Sequence, residues 1–323
     1  MSKLLITGGA GFIGSNFARR QVLNSKYTKV TVLDSLTYAG NLKNLAPIMD
    51  LNNFNFIKCD IRDQEKIKSV ISDHDIVVHF AAESHVDRSI ANPNTFIQTN
   101  VLGTFILLEA ARDSSIETFI HVSTDEVYGS IQSGSWNEES TIDPNSPYSA
   151  SKASSDLIAL SYFKTFGLDV RITRSSNNYG PYQYPEKLIP LFITNLMDNI
   201  KVPIYGKGEN IRDWIHVDDN CLGIEKVIEH GSAGEIYNLG GGNELTNLKI
   251  SEKILNAFGF DDSMISYVED RKGHDLRYSV KSEKAKSKLG FNPIINLNTG
   301  LQETIDWYKN NRSWWEPLKS LKT

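Results

Sequence analysis

The sequence predicts an α/β protein, a doubly wound parallel sheet accompanied by a smaller, discontinuous α/β lobe. Three observations carry this. Short apolar runs alternate with helical patterns from Lys3 to Thr173, the first run ends in a cluster of glycines, and from Asn177 onward the alternation gives way to shorter pieces. With 323 residues the chain can bury cores for both units, and 40% hydrophobic with 23% charged residues is ordinary for a globular protein. A net charge of -5 offers no basic footprint for nucleic acid or for an anionic membrane, so any anionic small molecule must be held by a few local cations. Cys59 and Cys221 form neither a disulfide framework nor a C-x-x-C metal pair, and the seven histidines show no H-E-x-x-H pattern, so no metal is expected. The start of the chain has no charged n-region or apolar h-region, and no apolar run approaches the roughly 18 residues of a membrane span. A cytoplasmic location is therefore the expectation.

Lys3–Thr7 (KLLIT) reads as the first strand and is followed at once by Gly8, Gly9, Gly11 and Gly14, then by a helical pattern through Phe17. A strand feeding a glycine turn and a helix start directs free backbone N–H groups and the positive helix end toward a pyrophosphate. A plain tight turn would explain the glycines alone. The second strand, Lys29–Leu33, however, ends at Asp34, where a carboxylate can accept hydrogen bonds from adenosine ribose hydroxyls and repel a 2'-phosphate. The sheet is thus Rossmann-type, and NAD is favoured over NADP. Phe54–Lys58 reads as the third strand, ending at Asp60, which either approaches the adenine or caps the following helix, 63–71. The fourth strand, Asp75–Phe80, opens into AAESHVDRS: Ala81 and Ala82 are small enough to lie against a cofactor, Ser84 is a candidate substrate contact, and Asp87 with Arg88 suggests a local ion pair.

A long helix is predicted over Asn94–Arg112, then a buried strand over 119–123 that ends at Thr124, Asp125 and Glu126, the edge at which open α/β sheets bind ligands. Two adjacent carboxylates there are hard to explain as structure, although a solvated loop or helix cap is the bland alternative. On the next helix, Tyr148–Phe166, Tyr148 and Lys152 are four residues apart and leave the same face, and an ammonium beside a phenol favours the phenolate. Leu168–Thr173 reads as a sixth strand, followed by a loop rich in Asn, Pro and Tyr. Beyond it, strands are predicted at Val202–Tyr205, Asp213–Val217 and Glu235–Leu239, and helices at Val217–Glu229, Asn247–Phe258, Ser282–Leu289 and Leu297–Asn310. The division expected is 1–176 plus roughly 213–240 for the NAD-binding domain, and 177–212 with 241–323 for the second domain.

The order of these parts resembles the extended short-chain dehydrogenase/reductase superfamily. Within it TGGAGFIGSN, AAESHVDRS, STDEVYG, SNNYGPYQYPEKLIP, GENIRDW and RKGHDLRY resemble the dTDP-glucose 4,6-dehydratases. The resemblance implies that NAD is also touched by Phe12, Ile13, Ser35, Thr37, Ile61 and Thr99, and that a nucleotide sugar such as dTDP-glucose is held by Ser84, Thr124, Asn177, Lys187, Pro203, Tyr205, Arg212, Asn247 and His274. It implies a homodimer through a four-helix bundle built from the two long apolar helices. It also implies catalytic roles for Thr124, Asp125, Glu126, Tyr148 and Lys152 in oxidising C4, eliminating water across C5 and C6, and reducing C6. A nucleotide-sugar 4-epimerase, a 4,6-dehydratase for another nucleotide sugar, or a catalytically silent NAD-sensing protein are the alternatives.

Overall fold

The computed structural model describes residues 2–114 and 116–320. Its first half alternates strand and helix. β1 (Lys3–Thr7) leads into α1 (Phe12–Leu23), β2 (Lys29–Asp34) into a 3-10 turn at Leu42–Ile48, β3 (Phe54–Lys58) into α2 (Gln64–Ile71), and β4 (Ile76–His79) into α3 (Val86–Ala91). Then follow α4 (Pro93–Phe96), a π-helical stretch (Ile97–Gly103) and α5 (Thr104–Arg112), so the single helix expected over Asn94–Arg112 is one helical run with a π-wound centre. Next come β5 (Thr118–Thr124), α6 (Pro147–Phe166) and β6 (Val170–Ser175).

The second half contains β7 (Asn177–Tyr179), α7 (Leu188–Met197), β8 (Val202–Tyr205), β9 (Ile211–His216), α8 (Val217–His230), β10 (Ile236–Leu239) and β11 (Glu244–Thr246). It closes with α9 (Asn247–Phe258), β12 (Ile265–Val268), α10 (Glu283–Leu289), α11 (Leu297–Asn310) and α12 (Arg312–Ser320).

Seven strands form one parallel sheet in the order β10-β6-β5-β4-β1-β2-β3. Chain order reverses between β1 and β4, and a crevice opens there at the carboxyl ends of the strands. Parallel strands covered on both faces read as continuous apolar runs, and β1, β2, β4 and β5 are buried almost throughout. One face packs on α1 and α8, with Phe17, Val22, Ile224 and Val227 in its core. The other packs on α2, α5 and α6, with Ile67, Leu107, Ala111 and Ala159. β10 returns to this sheet from the second half, whereas β9 pairs with β7 and β11 and β8 with β12, over a separate core around Phe192, Ile254, Tyr308 and Trp315.

Three α-helices were not anticipated: α3, which falls where a loop was expected, α7 and α12. α7 (LIPLFITNLM) is apolar on nearly every side and so has no amphipathic period, and its Pro190 lies in the first turn, where no helical N–H bond is lost. α12 carries Pro317. Asp60 does not cap α2: Asp63 does, accepting from Lys66 N at 3.2 Å, while Asp60 pairs with Arg62.

The glycine turn is held by contact rather than by hydrogen bonds alone. Gly8 has φ +70° and lies so close to β4 that a Cβ would come within 2.5 Å of Ala81 N, and a Cβ on Gly14 would come within 2.4 Å of Gly8 O. Gly14→Ala is therefore expected to push α1 away from the turn, at a cost of about 1–3 kcal/mol, the size of other overpacking changes. Its thermal midpoint should fall by several degrees and its NAD affinity with it; a midpoint equal to that of the unaltered chain would show that the turn has room.

Candidate active site

The cofactor side is built at the carboxyl ends of β1–β4. The N-cap of α1 is Gly11, whose lack of a side chain leaves the first-turn N–H groups without a side-chain acceptor, and no acidic residue occupies that turn. Asp34, buried at the end of β2, accepts Ala10 N at 2.9 Å on one oxygen and Leu36 N at 2.8 Å on the other. Each carboxylate oxygen keeps further acceptor capacity, so the group can still receive ribose hydroxyls. Burial raises its pKa and the two backbone bonds lower it, with burial winning.

A cavity of about 370 Å³ runs from this turn to α6. Its wall contains every residue anticipated for the cofactor: Gly8, Gly11, Phe12, Ile13 and Gly14; Asp34, Ser35 and Thr37; Asp60 and Ile61; Ala81 and Ala82; Thr99; Tyr148 and Lys152. An uncapped helix start, an acidic strand end and small residues along one wall fit a dinucleotide with a free ribose diol. Asp34→Ala is expected to weaken NAD binding about 10–100-fold, as for lost hydrogen bonds to a charged group, while improving NADP relative to NAD. A titration in which both dinucleotides bind as before would remove Asp34 from that role.

A second cavity, of about 320 Å³, is lined by Ser84, Asn177, Lys187, Pro203, Tyr205, Arg212, Asn247 and His274. Thr124 lies on the wall of the first cavity only. Lys187 Nζ donates to Ser84 O at 2.9 Å, Arg212 donates to Asp275 O at 3.0 Å, and His274 Nδ1 meets Asp270 Oδ1 at 2.7 Å. Asn177 Oδ1 and Asn247 Oδ1 are buried with no partner among the described residues, as acceptors placed for a ligand would be.

Glu126 lines both cavities, with Asp125 beside it in the first. Thr124 N-caps the short 3-10 helix that carries both acids, its Oγ1 accepting Glu126 N at 3.3 Å and donating to Asp125 Oδ1 at 3.4 Å. Asp125 is 2% exposed, and its Oδ2 has no partner among the described residues. Burial, then the charges of Glu126 and Asp213, hold its carboxyl well above the usual range, which favours the protonated form. Burial also raises Glu126, but the Arg212 guanidinium and Lys187 ammonium oppose the rise. Two adjacent carboxyls thus sit in environments that drive them apart, the arrangement that lets one be an acid and the other a base.

The Tyr148–Lys152 pair departs from expectation. Both are buried on α6, but Lys152 Nζ donates to Val122 O on β5 at 2.8 Å, and burial brings it down to about 8. The groups acting on Tyr148 are the carboxyls: burial raises its phenol furthest, Glu126 and Asp125 raise it further, and a hydrogen bond with Thr124 opposes them. These influences favour the protonated phenol.

Asp87 and Arg88 are likewise not a local pair. Asp87 accepts two bonds from Arg271, at 2.6 and 2.9 Å, and Arg88 meets Glu186 at 3.1 Å and lies over the Tyr38 ring at 3.9 Å. The site residues that sequence reasoning missed are these partners. Arg271 lines the second cavity and Glu186 lines both. Arg271 stands three residues before His274 in RKGHDLRY, but its partner is 184 residues distant. Among the described residues no group of three or more His, Cys, Asp or Glu is placed to hold a metal, and no helix is long and apolar enough to cross a membrane.

Residues 5–304 match the model of the GDP-mannose 4,6 dehydratase family. The chain is 55% identical over 322 residues to the dTDP-glucose 4,6-dehydratase of Streptomyces niveus, covering 98% of this chain and 96% of the relative. Among solved structures it resembles DesIV, a dTDP-glucose 4,6-dehydratase from Streptomyces venezuelae with NAD and TYD bound, at 55% identity and a TM-score of 0.96 over 98% of this chain and 99% of that one. It is also similar, at 30% identity and a TM-score of 0.89, to the UDP-glucose 4-epimerase of Thermotoga maritima with UDP-glucose, over 96% of this chain and 99% of that one.

Proposed function

The chain belongs to the GDP-mannose 4,6 dehydratase family, and on that premise we propose that its first cavity takes NAD and its second takes dTDP-glucose. The reaction is the NAD-dependent dehydration of dTDP-glucose to dTDP-4-keto-6-deoxyglucose. The observation that carries this choice over 4-epimerisation is the acid pair: Asp125, its pKa raised well above the usual range by burial, stands in the first cavity, and Glu126, whose rise is opposed by cations, lines both. Epimerisation eliminates no water and has no use for two such carboxyls.

Bound in the first cavity, NAD supplies the acceptor for the C4 hydride, the donor for C6 and a positive charge in the pocket that holds Tyr148. The acting form of Tyr148 is the phenolate, which the positive charge of NAD and the Thr124 hydrogen bond favour against burial; as such it takes the proton of the 4-hydroxyl. With a ketone at C4, the C5 proton is acidic enough for a carboxylate, and Glu126 removes it. Asp125, whose proton burial retains, donates to the departing 6-hydroxyl, and water leaves. Glu126 returns a proton to C5. Arg212 and Lys187 hold the diphosphate through charge-assisted bonds, while Asn177 and Asn247 present their unpartnered oxygens to the rest of the nucleotide.

The same division of labour extends to the chain: 1–176 with roughly 213–240 serves the cofactor, and 177–212 with 241–323 the nucleotide sugar. Ile97, Leu102 and Phe105 on the α4–α5 run and Leu157 and Phe166 on α6 are exposed, which suits a cytoplasmic homodimer joined through a four-helix bundle of these helices. The function is tested by incubating the NAD-loaded protein with a panel of nucleotide sugars. dTDP-glucose alone should give a 4-keto product with lost water, absorbing in strong base; conversion to an isomer of unchanged mass would establish the epimerase instead.

A further inference from the structure

Lys152 and Asp156 lie one turn apart on the same face of α6, both buried, and both reach the same part of β5. Lys152 Nζ ends on Val122 O, while Asp156 Oδ1 stands 3.2 Å from Nε2 of His121, the residue before. On its other oxygen Asp156 accepts Arg174 Nε from β6 at 2.9 Å. Arg174 is 1% exposed, with its guanidinium 4.7 Å from the centre of the Tyr128 ring. A buried carboxylate paired with Arg174 thus stands one helical turn from the buried Lys152 ammonium. The remaining titratable neighbours carry no charge at neutral pH. Burial drives His121 down to about 4, and burial also holds His79 on β4, bonded to Thr7 and Thr104, well below the usual imidazole range. Tyr128 is raised by burial and donates to Asn238.

A fully buried ammonium facing only a carbonyl would shed its proton. Among the described residues, Asp156 is the carboxylate whose charge opposes this at Lys152. We propose that Asp156 is a positioning residue of the reaction, keeping Lys152 an ammonium beside the cofactor cavity, and that Arg174 tempers its effect by claiming part of the same charge. The inference rests on the dehydratase reading above for its purpose, but its geometry is independent of substrate.

The test reads Lys152 directly. The NAD-loaded protein is treated with trace acetic anhydride across a pH series, and acetylation of Lys152 is followed by peptide mass spectrometry beside the pH profile of kcat on dTDP-glucose. In the unaltered chain the labelling midpoint and the alkaline limb of kcat should both lie near about 8. Asp156→Asn should move both down by about one unit or more, and Arg174→Gln should move both up, since Asp156 then serves Lys152 alone. Opposite displacements cannot come from a merely structural ion pair, which would alter the melting temperature with the midpoints unmoved. Because Asp156→Asn leaves Arg174 buried and unpaired, Arg174→Gln carries the test if the former does not fold. A midpoint in the unaltered chain near the free-lysine value of about 10.4 overturns the proposal without any variant, as do midpoints that coincide in folded variants. If labelling midpoints move as stated but no nucleotide sugar turns over, the proposed function fails and the Lys152–Asp156 coupling stands; turnover with unmoved midpoints has the reverse meaning.

Discussion

Glu126→Gln is expected to lower dehydration of dTDP-glucose about 10²–10⁴-fold, the range for loss of a general base, while leaving oxidation at C4 observable. Glutamine keeps the shape of the side chain and the bond that the residue 126 backbone N–H donates to Thr124 Oγ1. What it removes is the negative charge that Arg212 and Lys187 now balance, and with it any acceptor for the C5 proton. A single turnover should still show reduced nicotinamide accumulating, because the first proton leaves through Tyr148, but exchange of the C5 proton with solvent should vanish. Undiminished dehydration by this variant would remove Glu126 from its assigned role.

The second large effect is at the preceding step. Tyr148→Phe takes away the one hydroxyl placed to receive the 4-hydroxyl proton and should also lower turnover about 10²–10⁴-fold. The change is small for the fold: the ring keeps its edge contact with Phe96, centroids 6.3 Å apart, and burying Phe in place of a phenol carries no desolvation cost, so the melting temperature should hold or rise. The two variants are told apart by where they stop. Glu126→Gln halts after nicotinamide reduction and Tyr148→Phe before it. Reduction of nicotinamide at the native rate in the Phe variant would show that another group receives the first proton.

Much of this site is written in short-range spacing. The glycine turn follows β1 within one residue, Asp34 closes β2, and the acid pair closes β5, each a local pattern whose geometry a parallel sheet then enforces. The face shared by Tyr148 and Lys152 was equally legible, because helical period alone sets it. Their relation was not. Spacing puts two side chains on one face but does not say that the longer one bonds to the Val122 carbonyl. Long-range pairings escaped for the same reason. Asp87 and Arg88 are adjacent and opposite in charge, so the local pair was the simplest reading, yet the folded chain brings each a better-placed partner from the second half, Arg271 and Glu186. The sixth strand was read two residues early because Arg174 and Ser175 look like loop, and it is the distant carboxylate of Asp156, with the Tyr128 ring, that makes a buried arginine tolerable on β6.

The account turns on whether a proton is taken from C5 and water lost from C5–C6 while the nucleotide stays attached. Running the NAD-loaded protein with dTDP-glucose in deuterium oxide and weighing the product measures both together. The prediction is a dTDP-4-keto sugar that has lost water and carries solvent deuterium at C5. A product of undiminished sugar composition, or a dehydrated one with no deuterium at that carbon, would contradict it.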